Sequence, residues 1–182
     1  MKQFKGKNMS KRALNIVYRA TKMNIPRRRI TVLDGNAYGT DGIRIHKTCT
    51  SLENGHYIKE GRDFVKTSDT DRGSTVLQME NYIELPEWNS CEFKGVYSKT
   101  EDPPAMGDFA RFTVDGIDIF IFEEYRQDAI KSSGKAYGAV YSAAIMNGMN
   151  MIRIETSLVS AYIVHNMVEL KELEEVNDVK KR

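Results

Sequence analysis

This sequence has little cysteine and no long apolar run. Its two cysteines, Cys49 and Cys91, are too few for a disulfide scaffold and are typical of a reducing compartment. No apolar run approaches the roughly 20 residues that a membrane-spanning helix needs, and the amino-terminal segment MKQFKGKNMSKR lacks the apolar centre of a secretory signal. These absences exclude a disulfide-stapled secreted domain and predict a cytoplasmic protein with no membrane partner.

Acidic residues are missing from the first 33 positions, which contain ten Lys or Arg residues. Because the whole chain of 182 residues has a formal net charge of only +2, the rest of it is net acidic. Such segregation creates a local positive field, and a polyanion is the commonest partner for a field of that kind. Nucleic acid is therefore the leading candidate ligand, and a solvated basic end that improves solubility is the alternative.

A helix is predicted for residues 11 to 23, with Ser10 as its N-cap. At about 100° per residue its apolar side chains fall on one side, and a stripe of cations with one amide falls on the other. A solvated helix face normally mixes charges of both signs, whereas this stripe contains no acid. We therefore predict contact with phosphate groups, provided that the cations do not pair with acids of the same chain. The candidate nucleic-acid-binding residues are Lys11, Arg12, Asn15, Arg19, Lys22, Arg27, Arg28, Arg29 and Arg44.

Strand patterns follow this helix. Residues 29 to 48 are predicted to form a meander with turns at Asp34-Gly35 and Asp41-Gly42, and with Arg44 and His46 at a strand edge. Further strands are predicted at HYIKE, STVLQMENYIEL and CEFKGVYS, and around 136 to 145, 149 to 156 and 159 to 168.

The clearest hairpin is FARFTV-DG-IDIFIF, in which two alternating hydrophobic runs flank Asp115-Gly116. A second helix is predicted directly after it, over residues 123 to 133, because acids occupy its first turn and Gly134 can end it.

The order of these elements repeats one supersecondary pattern. The predicted fold is α+β, with a largely antiparallel curved sheet, two helices on one face, and repeated βαβββ units. A single domain is predicted over residues 1 to 168, with a first unit at about 10–66, an insertion at about 67–108 and a second unit at about 109–168. Residues 169 to 182 are predicted to be a short charged helix or tail.

The segment Thr40-Asp41-Gly42-Ile43-Arg44-Ile45 resembles the Thr-Asp-Gly-x-Arg-Leu segment that is common in bacterial sliding clamps, the beta subunits of replicative polymerases. FEEYRQDA is similar to the start of a clamp-domain helix, and AYIVHNMVEL is similar to a clamp closing strand. The resemblance implies that two helices line a concave, DNA-facing side and that Arg12, Arg19 and Lys22 face duplex phosphates.

Two features depart from the clamp pattern. Bacterial clamp chains contain three such domains, whereas this chain has room for one or for two very small ones, so it could close a ring only as a homo-oligomer. The second helix carries Glu123, Glu124 and Asp128, where clamps should be basic.

The small size and unusual composition also resemble those of phage and mobile-element proteins. As a whole, the sequence resembles the small inhibitors of RNA-guided CRISPR nucleases, the anti-CRISPR proteins, a set that has no common motif. We therefore predict a non-enzymatic protein of the bacterial cytoplasm that binds double-stranded DNA or a CRISPR nuclease ribonucleoprotein and inhibits the nuclease. A sliding-clamp-like replication accessory protein is the alternative.

Metal and catalytic sites are not predicted. His46 and Cys49 form one tight ligand pair, whereas zinc fingers and ribbons normally offer two. Asp69 and Asp71 lack the remaining oxygen ligands of a calcium loop, and no phosphate loop, nucleophile elbow or histidine-based triad is recognisable. We therefore expect no metal, no cofactor and no catalytic residue, and a small nuclease or hydrolase with dispersed acids is the second alternative.

Overall fold

The computed structural model describes residues 5–22, 28–68, 83–84, 86–99, 107–130, 138–146, 149–164 and 173–175. Its helices are α1 (Lys5–Arg19) and α2 (Glu123–Ile130). The strands before residue 100 are β1 (Ile30–Leu33), β2 (Asn36–Thr40), β3 (Arg44–Cys49), β4 (Gly55–Glu60), β5 (Asp63–Lys66), β6 (Asn89–Ser90) and β7 (Glu92–Lys99). The later strands are β8 (Phe109–Val114), β9 (Ile117–Phe122), β10 (Val140–Ala144), β11 (Met151–Glu155), β12 (Ser160–Val164) and β13 (Leu173–Glu175). No helix among the described residues is long and apolar enough to cross a membrane.

The strands form a large sheet in the order β5-β4-β1-β2-β3-β12-β11-β10-β6 and a small sheet in the order β13-β7-β8-β9. Neighbouring strands in both sheets run antiparallel. The two halves of the chain join in the large sheet through β3 and β12, where Ile45 lies opposite Tyr162 and His46 lies opposite Ala161. The predicted α+β fold with a largely antiparallel sheet is confirmed.

Both helices cover the same face of the large sheet. Helix α1 lies on β2 and β3, where Nδ1 of His46 is 3.0 Å from the carbonyl oxygen of Ile16. Helix α2 lies on β12, and its Ala129 packs in one core cluster with Ala161 and Ile163. Because His46 and Ala161 are direct cross-strand partners, their side chains point to the same side of the sheet. The prediction of two helices on one face is therefore confirmed.

The second half follows the predicted order of strand, helix and three strands, as β9, α2, β10, β11 and β12. The hairpin between β8 and β9 turns at Asp115 and Gly116, whose φ angles are 49° and 77°. The turn between β1 and β2 repeats this geometry, with φ angles of 46° at Asp34 and 75° at Gly35. Positive φ at both central residues defines a type I′ turn, which Asp-Gly adopts at low cost. The predictions for Asp34-Gly35 and Asp115-Gly116 are therefore correct. Asp41-Gly42 also lies between two strands, but there only Gly42 has a positive φ, of 95°.

The main core lies between α2, the large sheet and the small sheet. Side chains from all three layers meet there, and apolar side chains of this size each contribute roughly 1.5–3 kcal/mol when fully buried. The largest of these residues with no solvent exposure are Phe112, Ile119, Ile121, Ile152, Ile154 and Ile163.

Helix α1 differs from the prediction at both ends. It begins at Lys5, so Ser10 lies inside the helix and is not its N-cap. No proline lies before Ser10, so the local sequence does not prevent the helix from starting earlier, at Lys5. The helix ends at Arg19, after which Thr21 and Lys22 donate backbone hydrogen bonds to carbonyls three residues earlier, at 3.1 and 3.2 Å. This tighter turn ends the helix four residues earlier than predicted.

The carboxy-terminal prediction is wrong for residues 173–175. They form β13, in which Leu173 lies opposite Lys99 and Glu175 lies opposite Tyr97 of β7. The open edge of β7 offers backbone hydrogen bonds that outweigh the local helix preference of KELEE. Most of the predicted strand STVLQMENYIEL lies outside the described residues, and its two described residues, 83 and 84, are helical, so the strand prediction is wrong there.

Candidate nucleic-acid interface

Helix α1 presents a surface without acids to solvent. Its sequence contains no Asp or Glu. On its packed side Gly39 of β2 allows close approach, because a Cβ added at Gly39 would lie 2.1 Å from the carbonyl oxygen of Val17. On the opposite side Arg12 is exposed, and Asn15 and Arg19 are half-buried. The sequence therefore predicted correctly which side of α1 packs.

Lys11 reaches from α1 toward β5. Its Nζ lies 2.7 Å from Oδ1 of Asp63, and the two side chains are 47% and 77% exposed. An exposed ion pair is worth about 0–1 kcal/mol, because water screens the attraction. Lys11 can therefore exchange Asp63 for another anion at little cost.

Lys22 faces α2. Its Nζ lies 3.1 Å from Oε1 of Glu124 and 3.3 Å from Oδ2 of Asp128. Asp128 also pairs with Arg44, so two carboxylates balance two cations here, and a phosphate would have to displace both carboxylates from Lys22. The structure places this predicted phosphate contact in the junction between the two helices.

Arg44 is not a surface cation, because β3 lies inside the large sheet and not at its edge. Its side chain is 1% exposed. The Nε atom donates to Oδ2 of Asp41 at 2.9 Å, and one terminal nitrogen donates to Oδ2 of Asp128 at 2.9 Å. The guanidinium also lies 4.2 Å from the centre of the Tyr125 ring and donates to the carbonyl of Arg19 at 3.3 Å. Arg44 is therefore withdrawn from the predicted phosphate-binding set.

The acids of α2 are paired with cations of the same chain, although Glu124 is largely exposed. Glu123 accepts two hydrogen bonds of 2.6 Å from the guanidinium of Arg126 in the next turn. Burial alone would raise the pKa of Asp128, but the hydrogen bond and charge of Arg44, with help from Lys22, hold that pKa below its ordinary value. Because these carboxylates are engaged, α2 opposes a nearby polyanion less than its sequence indicates.

A second group of cations lies beside α1 on the side away from α2. Arg28 and Lys59 both approach the ring of Tyr18, and both side chains are half-buried. Arg29 is also half-buried, and Arg27 lies outside the described residues. Lys59 is not among the predicted residues, because a single lysine in an alternating strand carries no local signal and only the fold brings β4 beside α1.

The histidine and cysteine residues that the structure describes do not gather into a ligand cluster. His46 is fully buried, and burial, followed by the charge of Arg44, lowers its pKa from 6.5 to about 4. Cys49 and Cys91 are both free thiols. Within the described part of the chain, no group of three or more His, Cys, Asp or Glu residues could hold a metal ion.

Comparison with known proteins supports the fold. No protein-family model matches the chain, and no curated protein matches it. A solved structure from Eubacterium rectale, described as a DNA polymerase III beta subunit, superposes with a TM-score of 0.52 at 11% sequence identity. The match covers 90% of this chain, which spans 64% of the length of that structure. The chain therefore has a sliding-clamp-like fold, in agreement with the resemblance of its Thr-Asp-Gly-x-Arg segment.

Proposed function

We propose that this chain is a non-enzymatic protein that binds double-stranded DNA through the solvent-facing side of α1. The observation that carries the proposal is the acid-free sequence of α1, which displays Arg12 beside the weakly held Lys11. Cations on one helix face attract the closely spaced phosphates of a duplex and release its condensed counterions. Contacts of this kind hold DNA without reading its sequence.

The clamp-like fold supports a narrower form of the proposal, in which the protein is a replication accessory factor. The fold neighbour is described as a DNA polymerase III beta subunit, and this chain spans less than two thirds of it. A complete ring would then require several copies of the chain. Light scattering tests this step, since a ring requires a defined mass above that of the monomer, and a monomer at all concentrations would contradict it.

Inhibition of an RNA-guided CRISPR nuclease stays a prediction from the sequence. Neither the fold nor the comparisons add support to this inhibition. An inhibitor would use the same basic surface of α1 as a clamp-like protein. Cleavage of the DNA by the pure protein in the presence of Mg²⁺ or Mn²⁺ would instead revive the nuclease alternative.

Fluorescence anisotropy with a short labelled duplex tests DNA binding directly. We expect the affinity to fall steeply as salt rises from about 50 to 200 mM, with little dependence on base sequence. Arg12→Gln should weaken binding and reduce the slope of log affinity against log salt by about 0.9, the value for one lost phosphate contact.

Lys94→Gln provides the matched control, because Lys94 is a partly exposed lysine of β7 in the small sheet that pairs with Glu92. It should leave both the affinity and the slope unchanged. Binding that is insensitive to salt, or equal losses in both variants, would contradict the proposal.

A further inference from the structure

We propose that duplex DNA bound to α1 continues onto β4, where Arg28 and Lys59 form a second phosphate-binding position around Tyr18, and that it does not cross α2. This inference rests on the proposed function and adds to it the direction of the DNA path.

Tyr18 is the centre of the proposed position. The Cζ atom of Arg28 lies 4.6 Å from the centre of the Tyr18 ring, and Nζ of Lys59 lies 5.9 Å from it. Phe64 of β5 contacts the same ring, with centroids 5.8 Å apart and an interplanar angle of 76°. A cation near an aromatic face is held by the ring quadrupole. The ring of Tyr18 therefore lies close to two cationic groups, one from the segment before β1 and one from β4.

Within the described residues, neither Arg28 nor Lys59 forms an ion pair with a carboxylate. The Nε atom of Arg28 is shielded from solvent and has no hydrogen-bond partner among the same residues. A cation that has lost part of its hydration and has no carboxylate partner is stabilised by an incoming anion. A phosphodiester group suits this place, because its oxygens accept hydrogen bonds from both guanidinium and ammonium groups.

The position is continuous with the surface of α1. Nζ of Lys59 donates a 2.6 Å hydrogen bond to Oδ1 of Asn15. Asn15 is three residues from Arg12 and four from Arg19, so the three lie on neighbouring turns of one helix face. A cationic surface therefore runs from Arg12 across Asn15 to Lys59 and Arg28.

The opposite side of α1 does not offer such a path. There Lys22 is held by Glu124 and Asp128, and Arg44 is buried against Asp128. Cation and carboxylate charges nearly balance at this helix junction. An incoming polyanion therefore meets two cations without a described carboxylate partner toward β4, and paired charges toward α2.

The test compares the salt dependence of duplex binding by fluorescence anisotropy in five proteins, namely the wild type, Arg12→Gln and the three variants below. The double variant Arg28→Gln/Lys59→Gln should reduce the slope of log affinity against log salt by about 2, because two phosphate contacts are lost at about 0.9 each. Lys22→Gln should keep the wild-type slope, although it removes one positive charge from the turn that follows α1. Arg28→Lys, which preserves the charge, should keep most of the wild-type slope. Circular dichroism and urea midpoints identify any variant that fails to fold.

The outcomes separate the two proposals. If Arg12→Gln lowers the slope while the double variant keeps it, the path over β4 is wrong and DNA binding by α1 stands. If Lys22→Gln lowers the slope by about 0.9, the value for one lost phosphate contact, DNA crosses α2 and the inference is overturned. If the wild-type protein shows no salt-dependent binding, the proposed function itself is wrong.

Discussion

The guanidinium of Arg44 and the carboxylate of Asp128 lie 2.9 Å apart, although 84 positions separate them in the chain. Arg44 begins β3 in the first half, and Asp128 belongs to α2 in the second. The same guanidinium binds Asp41 and the last carbonyl of α1. This network therefore fastens both helices to the sheet at the point where the two halves of the chain meet.

Removal of the Arg44 guanidinium should destabilise the protein strongly. Arg44→Met leaves the carboxylates of Asp41 and Asp128 buried without their main partner, which costs about 3–5 kcal/mol for a buried pair. Urea unfolding monitored by circular dichroism measures the change in the free energy of unfolding. Asp63→Asn, which breaks an exposed ion pair, should change it by less than about 1 kcal/mol. A similar loss in both variants would show that burial of the Arg44 network has no energetic consequence.

Stability should fall as the pH falls from about 6.5 to 4 because of His46. Its pKa is about 4 in the folded protein, so the unfolded chain binds a proton in this window and the folded protein does not. The stabilising contribution of neutral His46 to the free energy of unfolding is therefore complete above pH 6.5, and about 3 kcal/mol of it is lost by pH 4.

His46→Asn removes this titration. Its stability should be lower at pH 7, because the hydrogen bond to Ile16 is disturbed, but flatter between pH 6.5 and 4. Urea midpoints measured across this range compare the two proteins. Parallel pH profiles would contradict the assignment of the decline to His46.

Gly39 should tolerate no side chain. In Gly39→Ala the new Cβ would lie 2.1 Å from the backbone oxygen of Val17, so α1 must move away from β2. We expect a loss of about 1–3 kcal/mol or more, which is typical of an overpacked core. Gly107→Ala is the matched control, because nothing lies within 4 Å of its added Cβ. Equal thermal stability of both variants would show that α1 adapts freely.

Loss of Asp63 should strengthen DNA binding. Asp63→Asn releases Lys11 from its ion pair and removes a negative charge beside α1, so the affinity for a duplex at low salt should rise a few-fold. Glu92→Gln releases Lys94 in the small sheet in the same way and should leave the affinity unchanged. Anisotropy titrations of the two variants distinguish a local effect at α1 from a general gain in net charge.

Local patterns predicted the elements where backbone geometry follows from one or two residues. Asp115-Gly116 and Asp34-Gly35 both form the expected turns, since few other pairs adopt positive φ twice in succession. Residues 173–175 were predicted as a helix or tail and form a strand, because the edge of β7 that pairs with them is far away in the sequence. The amino-terminal boundary of α1 was also predicted wrongly, since Ser10 is a typical N-cap residue but the helix begins five residues before it, at Lys5.

The sequence by itself determined that positive charge is concentrated near the amino terminus and that α1 has one apolar and one cationic side, because both properties depend on residue order alone. Only the tertiary structure decided which cations remain available to a polyanion. Lys22 meets Glu124 across 102 positions and Arg44 meets Asp128 across 84, whereas Lys59 joins Asn15 across 44. Charges act through distance in space, and that distance is set by strand pairing and helix packing between segments that are remote in the chain.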